Sequence, residues 1–552
     1  MSSLGASAVV RDNYTAYVWN SRMGNLFLMG SGVVDGRFLM GPRRLHEMPT
    51  RLGAGAYSIV ELSAEQAIVQ PDPFGMSQIY YSRGLVTNRL HLAGLLVRGV
   101  DAANALSTTY NDGGFSFSFN TFKTPVQDVE LLPAGARVEV SNGQLNIVKR
   151  DESQDFFTVD PDQYWALIEA GASEVMENVL GVVDSGLPVF ADITGGRDSR
   201  VVFGALLAAG RQRDVIFNTI AKPTNPALQA DLEIGSGLVS MYGGTYSERP
   251  RIVGYAENSV DQNLQRRRSQ VFGAYHWIAP SDVRPFASLT STPTIRMLGG
   301  GGELYRDYWK PMLFTSVDPE RTSSDELVRS MLVRHSGSAF GSRYLDRYSP
   351  DLLATFSALP GETVGHKLDA HYLNFRNRFH FGPRQSSPEL MSTINVATSP
   401  SLLAASRGLP ASERAAGRVL FDVIRTFDEK LAYLPFDKPG DARIFSSPYH
   451  RPSRFDSTPP SLEPAVHLAQ DFIERRHFLR PRVPTVPDWS LEDVLDAEIV
   501  GALEVISDPA SEFSFLMGDE LSTYVEWAKA HSPRNRSSLA SRLRAFADYS
   551  LL

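Results

Sequence analysis

The chain has 552 residues, a net charge of −8 and 43% hydrophobic residues, an ordinary composition for a globular protein of about two to four domains. Cysteine is absent, which excludes disulfides, thiolate zinc sites, iron–sulfur clusters and cysteine nucleophiles. The acidic balance argues against a nucleic-acid partner, and without a signal-peptide pattern or a long apolar run we expect a cytoplasmic protein with no membrane span.

Residues 1–155 are predicted to consist mainly of β-strands. Polar and apolar residues alternate at 58–62, 66–70, 113–122 and 136–148, as expected for sheets with one buried face. Asn142-Gly143, inside the last of these segments, is typical of a tight hairpin turn. We therefore expect antiparallel sheets in this first domain.

Residues 156–450 are predicted to form an α/β domain. Apolar residues recur at helical spacing over 161–183, and a strand–turn–helix pattern follows at 189–210. A second strand (214–221) and a helix (227–242) come next, so the pattern predicts a doubly wound parallel sheet. Residues 323–435 are predicted to be mainly helical, and 451–552 to form a third part with a proline-rich strap (478–489) and C-terminal helices.

The turn TGGRDS (194–199) follows the strand at 189–193 and raises two alternatives. It either joins strand to helix or binds phosphates. Gly195 and Gly196 allow successive N–H groups to converge on an anion at a helix N-terminus. Asp198 would repel that anion unless a cation lies between them, and Mg²⁺ bound to phosphate oxygens is such a cation.

A second glycine-rich stretch, GGGGELYRDY (299–308), again allows two interpretations. It is either a flexible loop or a place where the backbone comes close to a ligand. Glu303 directly follows the glycines and offers a second carboxylate for a shared metal ion.

These stretches resemble the motifs of the asparagine synthetase-like ATP pyrophosphatases. TGGRDS is similar to their S-G-G-x-D-S pyrophosphate loop, and GGGGELYRDY to their G-x-G-x-D-E-L motif, about a hundred residues further on. DPFGMSQIYYSRG (72–84) and LLPAG (131–135) resemble segments of the class II glutaminase domain that precedes the synthetase domain in that family.

The resemblance implies a fold and a set of site residues. The fold would be an N-terminal glutaminase-like (Ntn-type) αββα sandwich, followed by the ATP-pyrophosphatase domain with a helical C-terminal part. ATP and Mg²⁺ would be the cofactors, with Asp198 and Glu303 as metal ligands. The residues expected to hold the nucleotide are Thr194, Gly195, Gly196, Ser199, Thr219, Gly299 and Gly300. Lys438, or failing that Lys430, would supply a catalytic cation.

The chain also departs from the family. Its glutamine-using members expose a terminal cysteine nucleophile, which this chain lacks, so the first domain is expected to be inactive. β-Lactam synthetase and the lasso peptide cyclases likewise do without glutamine. However, Gly300 and Val396 occupy the positions of the tyrosine and glutamate with which β-lactam synthetase deprotonates its amine. The base is therefore unassigned, and Arg197, Arg200 and Arg306 are open to phosphate-binding, substrate-binding or structural roles.

We therefore expect an ATP-dependent ligase that adenylates a carboxylate, releases pyrophosphate and lets an amine displace AMP. The alternatives are a lasso-type macrolactam cyclase and a non-catalytic nucleotide-binding or assembly protein. The expected partners are a small-molecule or peptide carboxylate and an amine, with a homodimer or a biosynthetic partner protein also considered.

Overall fold

The fold is known from a computed structural model of the chain. It describes residues 6–11, 14–19, 25–41, 43–63, 65–97, 99–101, 103–105, 119–150, 156–221, 225–247, 251–252, 294–309, 318, 321–335, 345–385, 392–438, 442–463, 491–509, 511, 525–526, 543 and 546–547. The predicted strap at 478–489 and most of the predicted strand at 113–122 lie outside these residues.

The described part of the chain mixes strands and helices. The strands are β1 (Ala6–Arg11), β2 (Tyr14–Trp19), β3 (Asn25–Val34), β4 (Arg37–Met40), β5 (Arg43–Leu45), β6 (Leu52–Leu62), β7 (Gln66–Pro71), β8 (Tyr80–Ser82), β9 (Leu85–Thr87), β10 (Glu130–Leu131), β11 (Arg137–Ser141), β12 (Gln144–Val148), β13 (Val189–Asp192), β14 (Ile216–Asn218), β15 (Ile220–Ala221), β16 (Thr245–Tyr246), β17 (Arg251–Ile252), β18 (Ile295–Leu298) and β19 (Ser392–Asn395). The helices are α1 (Leu90–Val97), α2 (Pro161–Val183), α3 (Arg197–Ala208), α4 (Pro226–Met241), α5 (Ser324–His335), α6 (Leu345–Ala358), α7 (Val364–His371), α8 (Arg378–Gln385), α9 (Pro400–Arg407), α10 (Ala411–Ala416), α11 (Arg418–Phe427), α12 (Glu429–Tyr433) and α13 (Leu491–Ile506). A π-helical segment, Tyr372–Asn377, joins α7 to α8, and single 3-10 turns lie at Gly302–Tyr305, Ala442–Phe445 and Arg454–Asp456.

The N-terminal part is built from antiparallel sheets, as predicted. Its main sheet has seven strands in the order β12-β11-β7-β6-β3-β4, with β5 also paired to β3, and a smaller sheet has the order β10-β8-β9. Asn142 and Gly143 both adopt positive φ between β11 and β12, which is the conformation of the tight hairpin turn expected there.

The following part contains a five-stranded parallel sheet with the strand order β16-β14-β13-β18-β19. Chain order therefore runs outward in both directions from β13 and β18, which is the doubly wound arrangement. The prediction that 323–435 is mainly helical is confirmed for the described residues, and β19 within this range adds an edge strand to the sheet.

Local sequence explains where the flanking helices begin. A capping box between Asp160 and Gln163, with Pro161 in the first turn, starts α2. Asn225 caps α4 in the same manner, followed by Pro226. Among the described residues, no helix is long and apolar enough to cross a membrane.

One hydrophobic core crosses the predicted domain boundary at 155/156. It contains Val33 and Ala54 of the antiparallel sheet, Val175 of α2, and Ala191 and Met297 of the parallel sheet. Helix α2 packs against β3, β4 and β6 of the antiparallel sheet and against α3, α9 and α11 of the second part. A second cluster joins Ile499 and Ile506 of α13 to Leu90 of α1 and to Phe375. The C-terminal helix therefore packs against the N-terminal part.

Candidate functional site

Both glycine-rich turns follow strands at the centre of the parallel sheet. The turn 194–199 follows β13, and the turn 299–303 follows the adjacent strand β18. After β13 the chain continues to β14, the neighbour of β13 toward one edge of the sheet. After β18 it continues to β19, which forms the opposite edge. In open α/β sheets this switch point, at the carboxyl ends of the strands, is the usual place for a ligand.

The two turns are in direct contact, and glycine makes that contact possible. A Cβ atom at Gly299 would lie 2.5 Å from the backbone nitrogen of Ser199, and one at Gly302 would lie 2.1 Å from Asp198 Oδ1. Gly301 also has a φ of +96°, which a residue with a side chain rarely adopts. The second stretch is therefore packed against the first.

Asp198 and Glu303 converge on one guanidinium group. A terminal nitrogen of Arg306 lies 3.3 Å from Asp198 Oδ2 and 3.5 Å from Glu303 Oε1. The second oxygens, Asp198 Oδ1 and Glu303 Oε2, are buried and have no hydrogen-bond partner among the described residues. Burial and the nearby charge of Glu303 raise the pKa of Asp198 to about 7, although Arg306 opposes this shift. The two acids thus share the Arg306 guanidinium and repel each other.

This donor set fits one hard cation only in part. Two orphaned carboxylate oxygens are what Mg²⁺ bound to a phosphorylated ligand uses in proteins. Within the described ranges, no three His, Cys, Asp or Glu side chains lie close enough to hold a metal ion. A metal at Asp198 and Glu303 would therefore need oxygen atoms from a bound ligand as well.

The N–H groups of the first turn are satisfied by oxygens of the chain itself. The N–H of Thr194 donates to Ser199 Oγ at 3.0 Å, and that of Gly196 donates to Thr194 Oγ1 at 3.1 Å. The N–H of Gly195 donates to Asp231 Oδ1 at 2.9 Å. Because Gly196 forms the N-terminus of α3 with no side-chain cap, the dipole of α3 points at this turn. The three N–H groups thus donate to three different acceptors, so their convergence on one anion stays a prediction.

The reason for two glycines in this turn differs from the expectation. Gly196 has a φ of −77°, which any residue can adopt, and Gly195 is not among the glycines with positive φ. Gly195 is needed for a close approach, since its Cβ would lie 2.8 Å from Asp437 Cβ. A Cβ at Gly196 would meet only the Thr194 hydroxyl, at 3.3 Å.

The segment 431–438 is fixed to the first turn by Arg200. This fully buried side chain donates to the carbonyl oxygens of Leu434 and Pro435, and its guanidinium lies 3.8 Å from the centre of the Phe436 ring. Two residues further on, Lys438 is exposed; its charge lowers the pKa of Asp231, while burial, the largest influence, raises it.

The other predicted residues fall into separate groups. Lys430 is exposed on α12, with no contact to the turn among those described. Arg197 donates to the carbonyl oxygen of Ala416. Among the contacts described for the three loop arginines, only those of Arg306 include both Asp198 and Glu303. Thr219 lies buried between β14 and β15, where its hydroxyl donates to the carbonyl of Ile193, the residue before the turn.

The two positions that the motif resemblance aligns with the tyrosine and glutamate of β-lactam synthetase are Gly300 and Val396. Val396 is fully buried in the core and cannot act as a base. A Cβ at Gly300 would lie 2.6 Å from the Phe381 ring and 2.7 Å from Asn395 Oδ1, so a tyrosine would not fit there without rearrangement.

Sequence reasoning missed Asp231 and Asp437. The charge of Asp437 raises the pKa of both Asp198 and Asp231, and Asp231 accepts the N–H of Gly195. Asp437 precedes the candidate Lys438, which is a weak signal, and its N–H donates to the carbonyl oxygen of Gly195 at 3.0 Å. Asp231 lies within a helix and carries no local sequence signal.

The two N-terminal motifs also meet in space, on Arg378 of α8. This buried side chain donates to the carbonyl oxygen of Gly75 at 2.6 Å and to that of Leu132 at 2.7 Å. Asp72 organises the first motif by accepting the N–H groups of Phe74, Met76 and Ser77. Both motifs are thus joined to α8 through Arg378.

No protein-family model matches this chain, and no curated protein is significantly similar to it. The inference of function therefore starts from the geometry of the two turns and from the short motifs that form them.

Proposed function

We propose that this protein is an ATP-dependent, AMP-forming carboxylate–amine ligase of the asparagine synthetase-like kind. The observation that carries the proposal is the meeting of two glycine-bearing turns at the switch point of the parallel sheet, with Asp198 and Glu303 both within 3.5 Å of Arg306. A nucleotide is the class of ligand that this position in a doubly wound sheet commonly binds.

In this proposal the first turn holds the pyrophosphate portion of ATP. Thr194 and Ser199 are suited to this role because each hydroxyl can rotate from its present partner and donate to a phosphate oxygen. The uncapped N-terminus of α3 adds a favourable dipole for the same anion. Thr219 would border the adenine, since it follows the neighbouring strand β14.

Asp198 and Glu303 would hold Mg²⁺ together with phosphate oxygens. Bound there, the ion supplies neutralisation of the phosphate charge. Arg306 already lies between the two acids, so its guanidinium must move toward the phosphates or the solvent when the ion binds. Deprotonation of Asp198 is required at the same time, because only the carboxylate is a metal ligand.

The reaction would proceed in two displacements. An oxygen of the substrate carboxylate bonds to the α-phosphorus while the bond to pyrophosphate breaks. The amine nitrogen then bonds to the acyl carbon while AMP leaves with its bonding electrons. The role of the chain is positioning and charge stabilisation, with Lys438 as the mobile cation near the departing pyrophosphate.

We propose that the N-terminal part is an inactive, glutaminase-like scaffold of the Ntn type. The junction of both N-terminal motifs on Arg378 supports a structural role, and the absence of cysteine removes the usual nucleophile. The amine would then reach the second domain without being released from glutamine.

Pyrophosphate release tests the proposal. The full chain is incubated with ATP, Mg²⁺ and pools of carboxylic acids and amines, and pyrophosphate and AMP are measured together. We expect both products in equal amounts with at least one pool, and neither with the Asp198→Ala variant. If every pool fails while ATP hydrolysis to ADP occurs, the ligase proposal is wrong.

One observation favours a second candidate, a nucleotide-binding protein without catalysis. The N–H groups of Thr194, Gly195 and Gly196 are all engaged by the chain itself, and no base has been assigned. Saturable MgATP binding in calorimetry, without pyrophosphate exchange under any condition, would support this candidate.

A further inference from the structure

Asp231, on helix α4, accepts a hydrogen bond from the first turn and differs chemically from the other acceptors there. Three N–H groups of the turn donate to oxygens of the chain, and two of the acceptors are the hydroxyls of Ser199 and Thr194. A hydroxyl can turn and donate to an incoming phosphate, but an ionised carboxylate can only accept. Asp231 is therefore the one acceptor of the three that opposes an anion on the Gly195 amide.

Other charges near the turn strengthen this opposition. Asp437 and Asp198 lie close enough for the charge of Asp437 to affect both Asp198 and Asp231. The cations that act on these acids are Arg197, Arg306 and Lys438, of which Arg197 is tied to the carbonyl oxygen of Ala416. A turn built to hold phosphate is thus bordered by three carboxylates.

We propose that Asp231 is a specificity-determining residue that makes this turn reject polyphosphates without a bound divalent cation. The inference rests on the proposed nucleotide site and adds that this site selects the magnesium complex of ATP over metal-free ATP. Repulsion between Asp231 and a polyphosphate grows with the net charge of the polyphosphate. A divalent cation removes two of those charges, so metal-free ATP is excluded more strongly than MgATP.

The test measures binding of two probes, MgATP and ATP in EDTA, to the full chain by isothermal titration calorimetry. The Asp231→Asn variant keeps the size of the side chain and an acceptor oxygen for Gly195. We expect its Kd for metal-free ATP to fall roughly tenfold, and its Kd for MgATP to fall no more than about threefold. Glu233→Gln removes the same charge at an exposed position of the same helix and should leave both Kd values unchanged.

The possible results distinguish the role of Asp231 from the existence of the nucleotide site. An unchanged ratio of the two Kd values in Asp231→Asn overturns the inference, as does equally weakened binding of both probes, which would mean that Asp231 only supports the turn. If the unaltered chain binds neither probe, the nucleotide site itself is wrong. Asp231→Ser serves as the second neutral variant if thermal denaturation shows that Asp231→Asn does not fold.

Discussion

Replacing Asp198 by asparagine should stabilise the metal-free protein at neutral pH. Burial and the charge of Glu303 raise the pKa of Asp198 from 3.8 to about 7. One pKa unit corresponds to about 1.4 kcal/mol, which gives a ceiling of about 4 kcal/mol for the cost of ionisation. Because 27% of the Asp198 side chain is exposed and Arg306 lies 3.3 Å away, we expect the variant to gain about 1–2 kcal/mol in the free energy of unfolding.

The sign of the pH dependence follows from the direction of this shift. The folded protein holds the Asp198 proton more tightly than the unfolded chain, so the proton contributes stability that is complete below pH 3.8 and lost by about pH 7. Asparagine does not titrate. The variant should therefore match the unaltered protein near pH 4, gain on it as the pH rises, and hold a constant advantage above pH 7.

Thermal denaturation from pH 4.5 to 8 measures this difference. At pH 8 we expect the Tm of Asp198→Asn to be higher by about 1–3 °C. The variant should also lack the rise in Tm that we expect MgATP to produce in the unaltered protein. Glu65→Gln, at an exposed position in the turn before β7, is the charge-matched control and should show neither effect. A variant that is less stable at pH 8, or a difference that does not vary with pH, would refute the reasoning.

Three further predictions concern the turns and the segment that follows α12. Gly302→Ala should abolish MgATP binding, because its Cβ would lie 2.1 Å from Asp198 Oδ1, while circular dichroism shows that the fold is retained. The control Gly501→Ala should bind MgATP normally, since nothing lies within 4 Å of its Cβ position. Lys438→Ala should slow pyrophosphate formation by about 100-fold. Its Tm should not fall, because the Lys438 side chain is exposed, and the control Lys430→Ala should leave the rate unchanged. Arg200→Ala should destabilise the protein by about 3–5 kcal/mol in urea denaturation, because it leaves buried carbonyl groups unpaired; a loss below 1 kcal/mol would contradict the role of Arg200 as the anchor of this segment.

The sequence predicts the local framework of the site well. The strand before residue 194, the helix after Gly196, the capped start of α2 and the Asn142-Gly143 hairpin each depend on residues close together in the chain. Alternation and helical spacing report such local structure directly. The parallel sheet was also predictable, since strands that alternate with helices can pair in few other ways.

Long-range contacts within the site could not be predicted in this manner. The bond between Gly195 and Asp231 spans 36 residues, and that between Arg200 and Pro435 spans 235. Asp231 lies among helix-forming residues that would suit any exposed helix, so nothing in its surroundings indicates its partner. Strand β19 has only four residues, too few for alternation to distinguish it from the helices on either side.

Under the proposed function, Gly302 explains how two acids fit at the site although the second stretch departs from G-x-G-x-D-E-L. When Glu303-Leu304 is aligned with the final E-L of G-x-G-x-D-E-L, Gly302 occupies the position of the aspartate. A side chain at 302 would overlap the Asp198 carboxylate, whose Oδ1 lies 2.1 Å from the Cβ position. The glycine therefore gives Asp198 its space, and the longer Glu303 supplies the second carboxylate from the next position. Restoring an aspartate at 302 should for this reason expel Asp198 and weaken metal binding, even though it makes the motif more like that of the family.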